Sequence, residues 1–130
     1  MIEFNFDKEN GHPTAFIRGI NGSNKKDHSF ILMIDTGSSR TALSYNSGKV
    51  LGFKYNENEK MHFAKTANNY GIPYVLRRID LWIGNKLLKS FEIAWFLDEG
   101  DNYLGCDILD YFKVIFDKKA DKITFIPSGQ

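Results

Sequence analysis

A single cysteine, Cys106, stands in 130 residues, so an intrachain disulfide is excluded and a reducing compartment is the natural setting. His12, His28 and His62 lie far apart with no metal-ligand spacing, which leaves no cage for a metal and no implied cofactor. Charge of one sign is also lacking. Lys+Arg 17 against Asp+Glu 16 gives a formal net charge of +1, and the chain makes no electrostatic case for nucleic acid or an anionic membrane. Lys25-Lys26 and Lys118-Lys119 read as solvated hairpin tips. No apolar run approaches the ~20 residues of a membrane span, and Met1 to Asp7 has neither a basic start nor an apolar stretch of the signal type. A soluble, cytoplasmic protein is expected. Repeats, linkers and low-complexity tracts are absent as well.

What is present is apolar and aromatic. The chain is 42% hydrophobic and 15% aromatic, with Phe 11 and Tyr 6, which favours a packed, strand-rich core. Its length suits one domain over residues 1–130, burying roughly two thirds of the unfolded surface.

The most informative stretch is Phe30-Ile31-Leu32-Met33-Ile34-Asp35-Thr36-Gly37-Ser38-Ser39. Five apolar residues bounded by turn residues predict a strand buried on both faces. That strand delivers a carboxylate, Asp35, into a turn of small and hydroxylated residues. A charge there must be paired, hydrogen-bonded or neutralised, and Thr36 to Ser39 supply hydroxyls and close backbone N–H groups.

Around it the chain reads as strands. Ile2, Phe4 and Phe6 alternate with polar residues, and Thr14 to Ile20 follows the Asn10-Gly11-His12-Pro13 turn. Asn21 to Asp27 is a hairpin loop leading into the Asp35 strand. Gly48 to Lys60 is polar enough to be loop. Met61 to Thr66 and Ile72 to Ile83 make a long hairpin, Leu87 to Leu97 another strand, and Lys113 to Asp117 with Lys122 to Ile126 a last hairpin. Only Cys106 to Phe112 shows helical spacing, with Asp107 in its first turn complementing the dipole.

Two separated motifs carry a resemblance: the apolar strand with Asp35-Thr36-Gly37-Ser38-Ser39, and Tyr103-Leu104-Gly105-Cys106-Asp107-Ile108-Leu109. The chain resembles the retropepsin-like aspartic proteases, single-lobe relatives of pepsin, over nearly its whole length. The resemblance implies an all-β fold, a closed sheet or β-barrel with a flap hairpin and one short helix near residues 106–112. It implies an aspartic endopeptidase acting on extended peptides. Hydrolysis by carboxylates needs two in contact, one ionised and one protonated, and the chain has one Asp-Thr-Gly. The second carboxylate is therefore expected from Asp35 of another copy, making a homodimer with a shared site.

By the same resemblance Asp35, Thr36, Gly37 and Ser38 form the catalytic turn. Thr36 bonds its symmetry mate, and Ser38 bonds the outer carboxylate oxygen, shifting activity toward acid. Ser39, Thr66, Ala67, Asn68, Tyr70, Gly71, Leu104 and Gly105 are the expected substrate-binding residues, those from Thr66 to Gly71 as the flap tip. Leu104-Gly105 should pack beneath the turn, Gly105 because a side chain does not fit. Many relatives pair an Arg after that Gly with an acid after Asp-Thr-Gly. Here Cys106 and Ser39 occupy those places, so Arg40 and Asp107 either form a swapped pair or are an exposed arginine and an ordinary helix-start acid. The terminal strands, Ile2 to Phe6 and Lys122 to Ile126, are expected to add dimer contacts as exposed edges.

Three other readings bear on function. A His62–Cys106 nucleophile has nothing in the spacing to bring it together. The phosphate loop of actin-like ATPases shares an Asp-Thr-Gly-Ser turn, but that fold needs two larger domains. The rival that remains is a retropepsin-like dimer that binds or scaffolds peptides with little or no turnover.

Overall fold

The computed structural model describes residues 1–65, 71–98 and 100–128. Ten strands and two short helices are found among them, and the strands fall into two sheets.

The larger sheet begins with β2 (Thr14–Ile20) and β3 (Asp27–Ile34), joined by the turn at Asn21 to Lys26 and paired antiparallel from Thr14 opposite Met33 to Ile20 opposite Asp27. Its order continues through β8 (Tyr103–Leu104), β4 (Ala42–Leu43), β7 (Lys86–Phe96), β6 (Gly71–Ile83) and β5 (His62–Lys65). A further pairing of β2 with β6, Arg18 opposite Trp82 and Ile20 opposite Asp80, returns the ladder on itself. Inward side chains of this ring make the core: Ile17, Leu32, Val75, Ile79, Leu81, Ile93, Trp95 and Leu104 are all at most 2% exposed. Burial of this kind stabilises by roughly 1.5–3 kcal/mol for each large aliphatic side chain.

β3 differs from the sequence reading on one point. Phe30, Leu32 and Ile34 are buried, but Ile31 between them is 61% exposed, and its cross-strand partner Phe16 is 49% exposed. The strand is buried on one face, because none of the described residues covers Phe16 and Ile31 on the outer side of the β2–β3 pair.

The smaller sheet is β1 (Ile2–Phe4), β10 (Lys122–Pro127) and β9 (Phe112–Asp117), all antiparallel, with β10 in the middle. Phe4 and Phe112 both meet Phe125 edge-on, with ring centroids 5.2 Å apart in each case. The expectation that both terminal strands offer free edges is thereby corrected. Lys122 to Ile126 is paired within the chain on both sides, and among the described residues the outer edges of β1 and β9 have no strand partner in this sheet.

Helix α2 (Cys106–Leu109) starts where the spacing predicts and ends sooner, with Phe112 already opening β9. Helix α1 (Tyr45–Val50) runs into the start of the segment expected to be polar loop from Gly48. Ser44 caps it, its hydroxyl oxygen accepting the Ser47 N–H at 3.2 Å. Gly48, a poor helix former, is there because a Cβ would collide with the Trp95 indole. The indole also stacks on Tyr45 and donates to its carbonyl at 3.2 Å. No helix among the described residues is long and apolar enough to cross a membrane.

Candidate active site

Asp35 follows the last residue of β3, and the neighbouring β8 fixes its backbone. Met33 N donates to Asn102 O and Asp35 N to Leu104 O, each at 2.9 Å, as the parallel register Met33 to Tyr103 and Ile34 to Leu104 requires. The chain then turns: Ser38 N donates to Asp35 O at 3.2 Å, and Gly37 N donates to the carboxylate Oδ1 at 3.0 Å. The half-buried carboxylate therefore accepts one backbone hydrogen bond, and Gly37 has no Cβ to obstruct that side, where one would lie 3.3 Å from Oδ1.

The segment around α2 supports the turn from below. Cys106 N donates to Ser38 O at 2.8 Å, and the Cys106 thiol contacts Thr36 O at 3.3 Å. Gly105 lies against the Arg40 backbone so closely that a Cβ would come within 2.6 Å of the Arg40 carbonyl carbon. Its N–H donates to Thr41 Oγ1 at 3.0 Å, and that hydroxyl donates to Asp107 Oδ1 at 2.7 Å. Asp107 also accepts the Thr41 N–H on both oxygens at 2.9 Å.

Asp107 is thus bonded to Thr41, and Arg40 reaches in a different direction, to Glu92 on β7 at 3.1 Å. The swapped Arg40–Asp107 pair does not form. Neither residue is idle, because each has a nearer partner that neighbouring strands bring up. Ser38 also departs from expectation. Its hydroxyl donates to Arg40 O at 2.9 Å and accepts the Arg40 N–H at 3.4 Å, so its proton is directed along the turn and not at the Asp35 carboxylate. The acid-shifted optimum assigned to Ser38 loses its carrier in this arrangement.

A groove runs past the turn, beneath the β5–β6 pair. At one end, a space of about 380 Å³ is lined by Asp35, Gly37, Ser38, Ala42, Ala64, Lys65, Ile72, Phe96 and Tyr103. It continues past Ser39 and Arg40 toward Tyr74 and Ala94. Asp35 is the one carboxylate among the described lining residues. Tyr103 stands beside it. Burial, together with the charges of Asp101 and Asp35, pushes the Tyr103 phenol above its ordinary value.

Of the residues expected from the sequence, Asp35, Thr36, Gly37, Ser38 and Ser39 come together in the turn, with Thr36 exposed. Leu104 and Gly105 are buried beneath it, support the turn, and are not among the described lining residues of the groove. Gly71 is exposed at the start of β6, and Ile72 and Tyr74 line the groove in its place. Thr66, Ala67, Asn68 and Tyr70 lie outside the described residues. Sequence reasoning missed the wall formed by Ala64, Lys65, Tyr74, Ala94 and Phe96. Period-two alternation marks which residues share a face, and the pairing of Ala64 with Ile72 and Tyr74 with Phe96 brings those faces together.

No family model matches the sequence, and no curated protein matches it. Solved structures do. A retropepsin-like aspartic protease from Rickettsia conorii superposes with a TM-score of 0.70 at 24% identity, over 95% of this chain and 88% of that one. The EIAV protease in complex with an inhibitor is similar at TM-score 0.52 and 16% identity, over 80% of this chain and 90% of that one. The retroviral protease-like domain of Ddi1 from Leishmania major is similar at 0.53 and 10% identity, over 89% and 96%. The chain therefore has the fold of the retropepsin-like aspartic proteases.

Proposed function

We propose that the chain is one half of an aspartic endopeptidase that hydrolyses peptide bonds in extended polypeptides, with the site completed by Asp35 of a second copy. The observation that carries this reading is the setting of Asp35. It is half-buried on a turn held by backbone hydrogen bonds, and it is the one carboxylate lining the described groove. A lone carboxylate cannot both activate a water and protonate a carbonyl oxygen. Two in contact can, since their mutual repulsion keeps one protonated.

In this mechanism the ionised Asp35 takes a proton from a water while the protonated partner gives its own to the scissile carbonyl oxygen. The tetrahedral intermediate collapses as a carboxyl returns a proton to the leaving amine. The Gly37 N–H fixes one carboxylate oxygen, and exposed Thr36 meets its counterpart across the two-fold. The β5–β6 pair acts as the flap over an extended substrate. All 130 residues serve as one domain. The single free thiol suits a reducing cytoplasm.

A second reading, a dimer that binds peptides with weak or no turnover, is favoured by one detail: the Ser38 hydroxyl bonds Arg40 O and is not directed at the carboxylate. Digestion of a mixed peptide library across pH, over a range of protein concentrations and with Asp35→Asn as control, separates the two. Cleavage that rises faster than linearly with protein and vanishes in the variant supports the enzyme. Peptide binding without cleavage at any pH overturns it in favour of the scaffold.

A further inference from the structure

The two ends of the groove carry opposite charge. Asp35 lines one of its two overlapping parts, Arg40 the other, and Lys65 borders both. The basic end is not neutralised internally. Glu92 is shared between Arg40 at 3.1 Å and Arg78 at 3.6 Å, so one carboxylate faces two guanidinium groups. Arg40 keeps 40% of its side chain exposed. Lys65 is exposed and has no ion pair among the described residues. Around these cations the walls are mixed, with the Ser38, Ser39 and Tyr74 side chains beside Ala42, Ala64, Ala94 and Phe96. Such a pocket offers room and contact for a short aliphatic stem, with a positive field at its rim for the head group.

We infer that this end of the groove selects an acidic substrate residue, glutamate before aspartate, a short distance along the chain from the scissile bond. The inference rests on the reading of the groove as a protease's substrate cleft and adds the class of substrate. Arg40 and Lys65 determine specificity and take no part in bond breaking. The polarity is self-consistent: a substrate carboxylate is drawn to the Arg40 end and repelled from the Asp35 end, which fixes the register in which an extended peptide lies. A two-fold would repeat the basic end on the other side of the scissile bond. Peptides with an acid on each side of an apolar pair would then fit best.

The test uses the 130-residue chain and a peptide library synthesised in two matched forms, with Glu or Gln at each position in turn. At one position on either side of the cleaved bond, kcat/KM should favour Glu over Gln about 5-fold, as two partly exposed cations can supply. Raising salt to about 0.5 M should bring the ratio close to unity. Lys65→Gln should reduce the ratio and Lys65→Glu should invert it. Glu92→Gln, which frees Arg40 and lies outside the groove lining, should raise it. A merely structural role would not move the ratio in opposite directions.

The same Glu and Gln forms, labelled with fluorescein, are also titrated onto Asp35→Asn by anisotropy, which reads selection whether or not the wild type cleaves. Selective binding of the Glu form without any cleavage overturns the protease reading and supports the acidic pocket. Cleavage with equal use of Glu and Gln overturns the acidic pocket and leaves the protease reading intact. Binding of neither form overturns both.

Discussion

Two aspartates flank one junction of this fold and are used in opposite ways. Asp107, in the first turn of α2, accepts three hydrogen bonds from Thr41, two from its N–H and one from its hydroxyl, and ties the strand after the turn to the helix. Asp35, where β3 enters the turn, accepts one, from the Gly37 N–H, and otherwise opens into the groove. The first carboxylate has its lone pairs occupied by the chain's own donors. The second keeps most of its capacity for something from outside. Positioning of Asp35 comes from backbone bonds to its main chain while saturation is confined to Asp107, which is what the proposed function asks of a reacting acid.

The comparison is tested most sharply at Asp35. Asp35→Asn keeps an oxygen for the Gly37 N–H and removes the acid. Peptide cleavage should fall by at least about 1,000-fold, within the range for loss of a general acid–base group. The melting temperature should move by no more than about 2 °C, as for a partly exposed substitution. Kinetics and calorimetry on one preparation check both. A large loss of stability would show that Asp35 is structural like Asp107.

Asp107 should behave in the reverse way. Asp107→Ala leaves the fully buried Thr41 N–H and hydroxyl without their acceptor, which costs about 3 kcal/mol. The expected fall in melting temperature is about 10 °C. Asp107→Asn, retaining one acceptor oxygen, should lose about half as much. If both variants melt with the wild type, the hydrogen bonds to Thr41 do not hold the turn.

A smaller effect separates pH dependence of the scaffold from that of the chemistry. The Arg77 guanidinium bonds both oxygens of Glu59, at 2.6 and 2.8 Å, and holds its carboxyl below the ordinary carboxylate range, against the opposing effect of burial. A lowered folded-state value means that the stabilisation is present above the unfolded value and is lost as pH falls through the folded one. Urea titrations stepped from about pH 6 down to about pH 3 should show the wild type losing more stability than Glu59→Gln. Equal slopes would mean that the pair contributes nothing.

How legible these features were depends on whether neighbours in sequence or neighbours in space make them. The strand into Asp35 and its turn are readable because each is a local pattern, whereas the Leu104-Gly105 support is legible only through the family resemblance. Ile31 was read as buried since five consecutive apolar residues do not reveal that one sheet face lies open. Helix α1 was missed because Gly48 opposes helix formation locally, and its reason, the Trp95 indole, lies far along the chain. The groove wall was missed for the same cause: Ala64, Tyr74 and Phe96 meet only through the registers of β5, β6 and β7. The Thr41 acceptor of Gly105 N and donor to Asp107 is a buried threonine in a polar stretch, and nothing in its sequence setting marks it.

The finest test of the contrast between the aspartates is their reach into the groove, for which Tyr103 is a built-in reporter. Its phenol is raised first by burial, then by the charge of Asp101 and then by that of Asp35. A raised folded-state value means stability that is full below the ordinary tyrosine range, near ~10, and lost as pH rises through the folded value. Removing the Asp35 charge leaves the two larger causes in place. In Asp35→Asn the Tyr103 titration, followed as phenolate absorbance and isolated by subtracting the matching Tyr103→Phe protein, should therefore shift down but stay above the ordinary value. Asp107→Asn should not move it, since that carboxylate faces Thr41 and is absent from the causes acting on the phenol. An unmoved midpoint in Asp35→Asn would mean that its carboxylate does not open toward Tyr103, and the distinction between an occupied and an available aspartate would fail at its source.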